Sequence, residues 1–159
     1  MGARTLILLR HAKSDWSGTE PDHRRPLTKR GRRQAAEAGA WLAAHADIDL
    51  AVISTAERAR STWALAAAEL STTPAVHFDE RAYAASARTL LGLVQELSDE
   101  VATVVLVGHN PGLEDLACDL AGQSLRMPTS ALAVFTHTGA WAEVATAPAQ
   151  LVASGRPPD

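Results

Sequence analysis

The sequence predicts an α/β protein, a three-layer α/β/α sandwich around a mostly parallel central sheet. Three observations carry that expectation. Short apolar runs alternate with longer segments of helical spacing through most of the chain. The runs are continuous rather than alternating, as strands covered on both faces require. The last two predicted strands flank a Gly-containing turn, which reads as a hairpin closing the sheet.

The elements follow in order. Thr5–Leu9 is a strand by its unbroken apolar character. Leu27–Ala46 is helical, with Ala35, Ala38 and Leu42 on one face and Lys29, Arg33 and Glu37 on another. Leu50–Ile53 is a second buried strand, after which Ser54 or Thr55 can cap a helix to about Leu70. Ala75–Phe78 is a weaker strand, and Ser86 can cap a helix through Leu97. Thr103–Val107 is the clearest strand. Asn110–Pro111 reads as a cap and a first-turn proline for a helix to about Leu120. Ala131–Thr136 and Trp141–Thr146 form the expected hairpin.

The 159 residues suit a single domain over 1–153, with SGRPPD at 154–159 as a flexible tail. A net charge of −3 gives no global attraction to nucleic acid or to anionic lipid. One cysteine, Cys118, excludes an internal disulfide framework. The early apolar run Leu6–Leu9 is too short for a signal segment or a membrane span, so a cytoplasmic monomer is expected. The charge is unevenly spread. Residues 1–33 hold nine of the 15 Lys and Arg but only three of the 18 Asp and Glu: Asp15, Glu20 and Asp22.

In an open α/β sheet, ligands bind beyond the carboxyl ends of the strands. Arg10 and His11 leave the first strand, Ser54 and Thr55 the second with Arg58 just inside the next helix, and His109 and Asn110 the fourth. A cation in the first turn of a helix opposes the macrodipole, at about 0.3–1 kcal/mol. A bound anion reverses the sign, because helix N–H groups and guanidinium then both stabilise it. One histidine or arginine at a strand end is ordinarily just solvated. Two of each at three exits point to a phosphoryl site. His45, His77 and His137 lack this placement and read as structural or surface groups; His23, in the long loop of residues 11–26, stays open.

Competing phosphate chemistries fail on spacing. GxxxxGK[ST] is absent. A cysteine phosphatase needs arginine at the position that Ser124 occupies after Cys118, and Cys118 lies in a helical pattern as a small packing residue. Two histidines beside two arginines make a poor metal site, so neither metal nor cofactor is expected. Histidine itself remains as the nucleophile.

These residues resemble the histidine phosphatase, or phosphoglycerate-mutase-like, superfamily, and within it the SixA-like phosphohistidine phosphatases. LLRHAKSDW is similar to the family's Arg-His segment. RPLTKRGRRQA (Arg25–Ala35), STAERARST (Ser54–Thr62), LVGHNP (Leu106–Pro111) and PTSALAVF (Pro128–Phe135) resemble its later motifs, in order along nearly the whole chain. The resemblance implies that His11 attacks phosphorus and that water regenerates it. It also implies that Arg10, Arg58 and His109 line the phosphate pocket, with Lys13 and Ser14 beside the substrate. Ala12 stands where Arg-His-Gly is commonest in the family. Larger relatives carry a glutamate in an inserted cap, and no large cap insertion is expected here; Glu80 holds the best matching position for a general acid, with Asp15 its rival.

The implied substrate is a phosphohistidine on a protein, with a small phosphorylated metabolite or nucleotide as the alternative and a non-catalytic phosphate-binding module as the third. The basic cluster His23–Arg33 is either a solvated helix face or an electrostatic funnel or docking surface for an acidic partner. No interleaved aromatics favour nucleic acid.

Overall fold

The computed structural model describes residues 2–146 and 149–159. Six strands, β1 (Ala3–Arg10), β2 (Leu50–Ser54), β3 (Ala75–Asp79), β4 (Thr103–Gly108), β5 (Leu132–Thr138) and β6 (Ala149–Gly155), form one sheet in the order β3-β2-β4-β1-β5-β6. β3, β2, β4 and β1 pair in parallel, while β5 runs antiparallel to β1 and to β6. Four helices cover it: α1 (Lys29–His45), α2 (Glu57–Ala67), α3 (Ala87–Gln95) and α4 (Gly112–Ala121).

The continuous apolar strands have a simple cause. Alternate residues of β1, β2, β4 and β5 feed two separate cores, while the edge strand β3 is exposed on both faces. Leu6, Leu8, Val104, Leu106 and Phe135 pack beneath α3 and α4 with Leu90, Leu93, Leu113 and Leu116. Ile7, Leu9, Ile53, Val105 and Val107 pack beneath α1 and α2 with Leu42 and Trp63. Burying a side chain of this size contributes about 1.5–3 kcal/mol, so both faces must be covered. The three-layer sandwich follows, and no large insertion interrupts it.

Local corrections have local reasons. The sixth strand is Ala149–Gly155 rather than Trp141–Thr146. Trp141 is fully buried, its indole N–H donating to the Val101 carbonyl at 2.8 Å, and its segment docks as a 3₁₀ turn over Trp141–Glu143. Ser154 and Gly155 are strand residues paired with Ala133 and Leu132, so they do not belong to a loose tail. Thr28 caps α1 and Ser86 caps α3, each accepting a backbone N–H. α2 has no side-chain cap: the Ser54 and Thr55 hydroxyls turn instead to His109 and His23. Pro111 precedes α4 instead of opening it, and Asn110 Oδ1 accepts the Glu114 N–H.

Candidate active site

Parallel pairing of β1, β4 and β2 brings their carboxyl ends to one edge. Arg10 pairs with Gly108 across β1 and β4, so His11 and His109 emerge side by side, with ring centroids 5.0 Å apart. Arg58 reaches the same place from the first turn of α2. All three are buried.

The loop after β1 is held at successive residues. The His11 N–H donates to the Gly108 carbonyl, the Ala12 N–H to Thr62 Oγ1, and the Lys13 N–H to Gln34 Oε1. Ala12 is fully buried against Leu27 and Ala35, so its methyl packs in the core and points no bulk at the ligand. Gly31 lets α1 approach this loop, because any Cβ there would collide with the Lys13 carbonyl oxygen.

His11 Nδ1 lies 2.7 Å from the carbonyl oxygen of Ala12. A carbonyl can only accept, so Nδ1 carries the proton and Nε2 presents a lone pair. His109 Nε2 bonds the Ser54 hydroxyl at 2.7 Å. Arg10 Nε, Arg58 Nε and His109 Nδ1 are buried without a hydrogen-bond partner in the protein. Unpaired buried polar atoms cost about 1–3 kcal/mol each, a cost that a ligand accepting their hydrogen bonds would offset.

A cavity of about 340 Å³ opens above them. Arg10, His11, Lys13, Ser14, Arg58 and His109 all line it, with Trp16, Asp22, Arg25, Asn110 and Thr129. A second lobe of about 410 Å³ shares Asp22, Arg58, His109 and Asn110 and adds Tyr83. Glu80 and Asp15 line neither lobe. Glu80 is exposed on a 3₁₀ turn, Glu80–Ala82, that reaches the site through Tyr83, and Asp15 is engaged by the Ser17 N–H and hydroxyl.

Asp22, not singled out as a site residue in the sequence, is the sole carboxylate lining either lobe among the described residues. Its Oδ2 accepts from Arg58 at 3.1 Å and from the Tyr83 hydroxyl at 2.5 Å, while Oδ1 accepts from Arg25 at 3.1 Å. The anion that Arg58 requires at the start of α2 is thus supplied from within the chain. Arg25 also donates to Ser14 Oγ and lies 3.4 Å above the ring of the exposed Trp16. His23 bonds Thr55 and meets the Tyr83 ring edge-on. His45, His77 and His137 lie outside both lobes.

Residues 6–85 match the sequence profile of the histidine phosphatase superfamily, branch 1. The chain belongs to this superfamily. An uncharacterized protein of Mycobacterium tuberculosis is 38% identical over 156 residues, covering 91% of this chain and 96% of its own. A solved structure assigned as phosphohistidine phosphatase SixA, from Nakamurella multipartitia, superposes with a TM-score of 0.87 at 32% identity, over 98% of this chain and 96% of that one. The protein histidine phosphatase SixA in complex with tungstate shares the fold, with a TM-score of 0.80 at 20% identity over 94% and 95% of the two chains. The protein is a SixA-like phosphatase, which fits phosphorylated proteins or small phosphorylated compounds as substrates. No helix among the described residues is long and apolar enough to cross a membrane.

The phosphatase keeps both site histidines neutral. Burial pushes His11 down to about 4, against the Ala12 hydrogen bond and with Arg58 and Arg10 adding to the shift. Burial, then His11 and Arg58, push His109 down to about 3. Asp22 is held well below the ordinary carboxylate range by Tyr83 first, then Arg25 and Arg58, against its partial burial. Tyr83 is raised in turn by Asp22.

The pH dependence of stability follows with a definite sign. Between pH 6.5 and about 4 the unfolded chain binds protons at both histidine positions that the folded phosphatase excludes. Their contribution is complete above pH 6.5 and is lost as pH falls towards 4. Thermal melts from pH 7.5 to 4.5 are expected to show the melting temperature falling, and replacing His109 with Gln to flatten part of that slope. A slope unchanged by His109→Gln would contradict the assignment.

Asp22 occupies the Arg58 and Arg25 guanidinium groups, so an anion entering the cavity would have to compete with it for them. Asp22→Asn is expected to tighten product inhibition by inorganic phosphate about 2–5-fold, modest because Asp22 is half exposed. Weaker phosphate inhibition would mean that Asp22 serves mainly to position Arg58.

Proposed function

We propose that the chain hydrolyses phosphohistidine on a protein, through a phosphoryl group carried transiently on His11. His11 Nε2 attacks phosphorus. The substrate P–N bond breaks with its electron pair on the departing imidazole, which takes a proton from water. Water then attacks the phosphohistidine of the enzyme, the Nε2–P bond breaks, and inorganic phosphate leaves. Arg10 and Arg58 neutralise the equatorial oxygens, the neutral His109 donates a hydrogen bond from Nδ1, and Lys13 and Ser14 stand at the mouth, where charge-assisted hydrogen bonds contribute most.

One observation carries the substrate class. The cavity's carboxylate, Asp22, is held ionised, and neither Glu80 nor Asp15 reaches the cavity. An alkoxide leaving group needs a proton from a positioned acid, worth about 10²–10⁴-fold. An imidazole does not. The site therefore suits P–N cleavage better than cleavage of aliphatic esters.

A second reading is hydrolysis of a small phosphorylated metabolite, favoured by the lobe beside Tyr83, which has room for a compact leaving group. Steady-state kinetics in chelator on a phosphohistidine peptide and an aliphatic phosphate monoester separate the two. A kcat/KM about 10²-fold or more higher for the phosphohistidine is expected; preference for the ester would sink the protein-substrate reading.

A further inference from the structure

Beyond Thr129 a second cavity of about 340 Å³ is lined by Arg30, Arg33, Gln34, Glu37 and Arg156. It is as large as the catalytic lobe below which His11 lies. Three guanidinium groups face it and one carboxylate, Glu37. None of the three arginines forms a salt bridge among the described residues, whereas Arg4, Arg25, Arg58 and Arg81 all do. Arg30 comes from the first turn of α1, where the macrodipole disfavours cations, and Arg33 from the turn that follows. Arg156 comes from the far end of the chain. Like charges drawn together from two elements repel one another, and only an anion reverses that sign.

The two cavities share a wall. Thr129, which lines the catalytic cavity, donates to Gln34 Oε1 and accepts from Arg156, both at 3.3 Å. The same Gln34 oxygen accepts the N–H of Lys13 in the catalytic loop. Burial lowers the Arg10 pKa, the Glu114 carboxylate opposes that shift, and the charge of Arg156 adds to it. Arg156 thus joins the second recess to the catalytic cavity through Thr129.

We propose that this arginine recess is a second anion subsite, which takes an acidic side chain presented by the phosphoprotein next to its phosphohistidine. The planar guanidinium fork pairs with a carboxylate in a bidentate manner, and a recess beside the reacting group fixes the substrate's direction of approach. The assignment rests on the phosphohistidine reading above.

Two phosphohistidine peptides, one flanked by aspartates and one by asparagines, test it against the wild type and Arg30→Gln/Arg33→Gln. Both arginines are exposed, so the double variant is expected to fold. The wild type is expected to favour the acidic peptide in kcat/KM by about tenfold at low salt. The double variant should lose most of that preference, and Arg30→Lys/Arg33→Lys should restore part of it, with turnover of the asparagine peptide unchanged throughout. Equal turnover of both peptides by the wild type, or a preference that survives the double variant, overturns the subsite and leaves the phosphohistidine reading intact. No turnover of either peptide, alongside hydrolysis of a small ester, overturns both. A preference for a bisphosphorylated over a monophosphorylated small ester, lost in the double variant, would assign the recess to a second phosphate and overturn the acidic side chain.

Discussion

His11→Ala is expected to lower kcat by about 10⁴-fold or more while leaving inorganic phosphate bound. The reason is geometric. The Ala12 carbonyl fixes the Nδ1 proton, so one nitrogen, Nε2, is free to attack. His109 cannot substitute, because its Nε2 is engaged by Ser54. Phosphate affinity survives because Arg10 and Arg58 remain. A His11→Ala protein with more than a few per cent of wild-type turnover would contradict the assignment of the nucleophile.

Arg58→Ala is expected to lower kcat/KM by about 10²–10³-fold, the loss seen when one preorganised donor to a developing charge is removed. Arg58 is buried at the start of α2 and carries the charge on that side of the pocket. Removing it also leaves Asp22 with one cationic partner, Arg25, in place of two, so more of its negative charge faces the substrate. Repulsion adds to lost attraction. Arg58→Ala/Asp22→Asn should therefore recover part of the activity relative to Arg58→Ala alone, and kinetics of the four proteins in this cycle measure the coupling. Additive effects would show that Asp22 and Arg58 act independently in the loaded site.

Much of this was legible in the sequence because it follows from periodicity and strand ends. Continuous apolar runs located β1, β2 and β4, and the residues leaving them placed Arg10, His11, Arg58 and His109 in one cavity. The rest depended on contacts between distant loops. Asp22 sits in an irregular segment and meets Tyr83 across 61 positions. One signal was available: it is one of three acids within the basic first 33 residues. Glu80 holds the best matching position after β3, but β3 is the sheet edge, with β2 and β4 between it and β1, and its following turn points Tyr83 rather than Glu80 at the site. Trp141–Thr146 reads as the second strand of a hairpin because a Gly-containing turn separates it from Ala131–Thr136. The Trp141 indole instead anchors a turn, and the edge strand that replaces this segment is the alternating, less apolar Ala149–Gly155.

The central claim is that phosphorus passes through His11. Incubating the protein with a phosphohistidine peptide in chelator, quenching within milliseconds and mapping acid-labile, alkali-stable phosphate tests it directly. Label on His11 that is absent in His11→Ala is the predicted result. Turnover without label on any histidine, at a time resolution shorter than a single turnover, would contradict it.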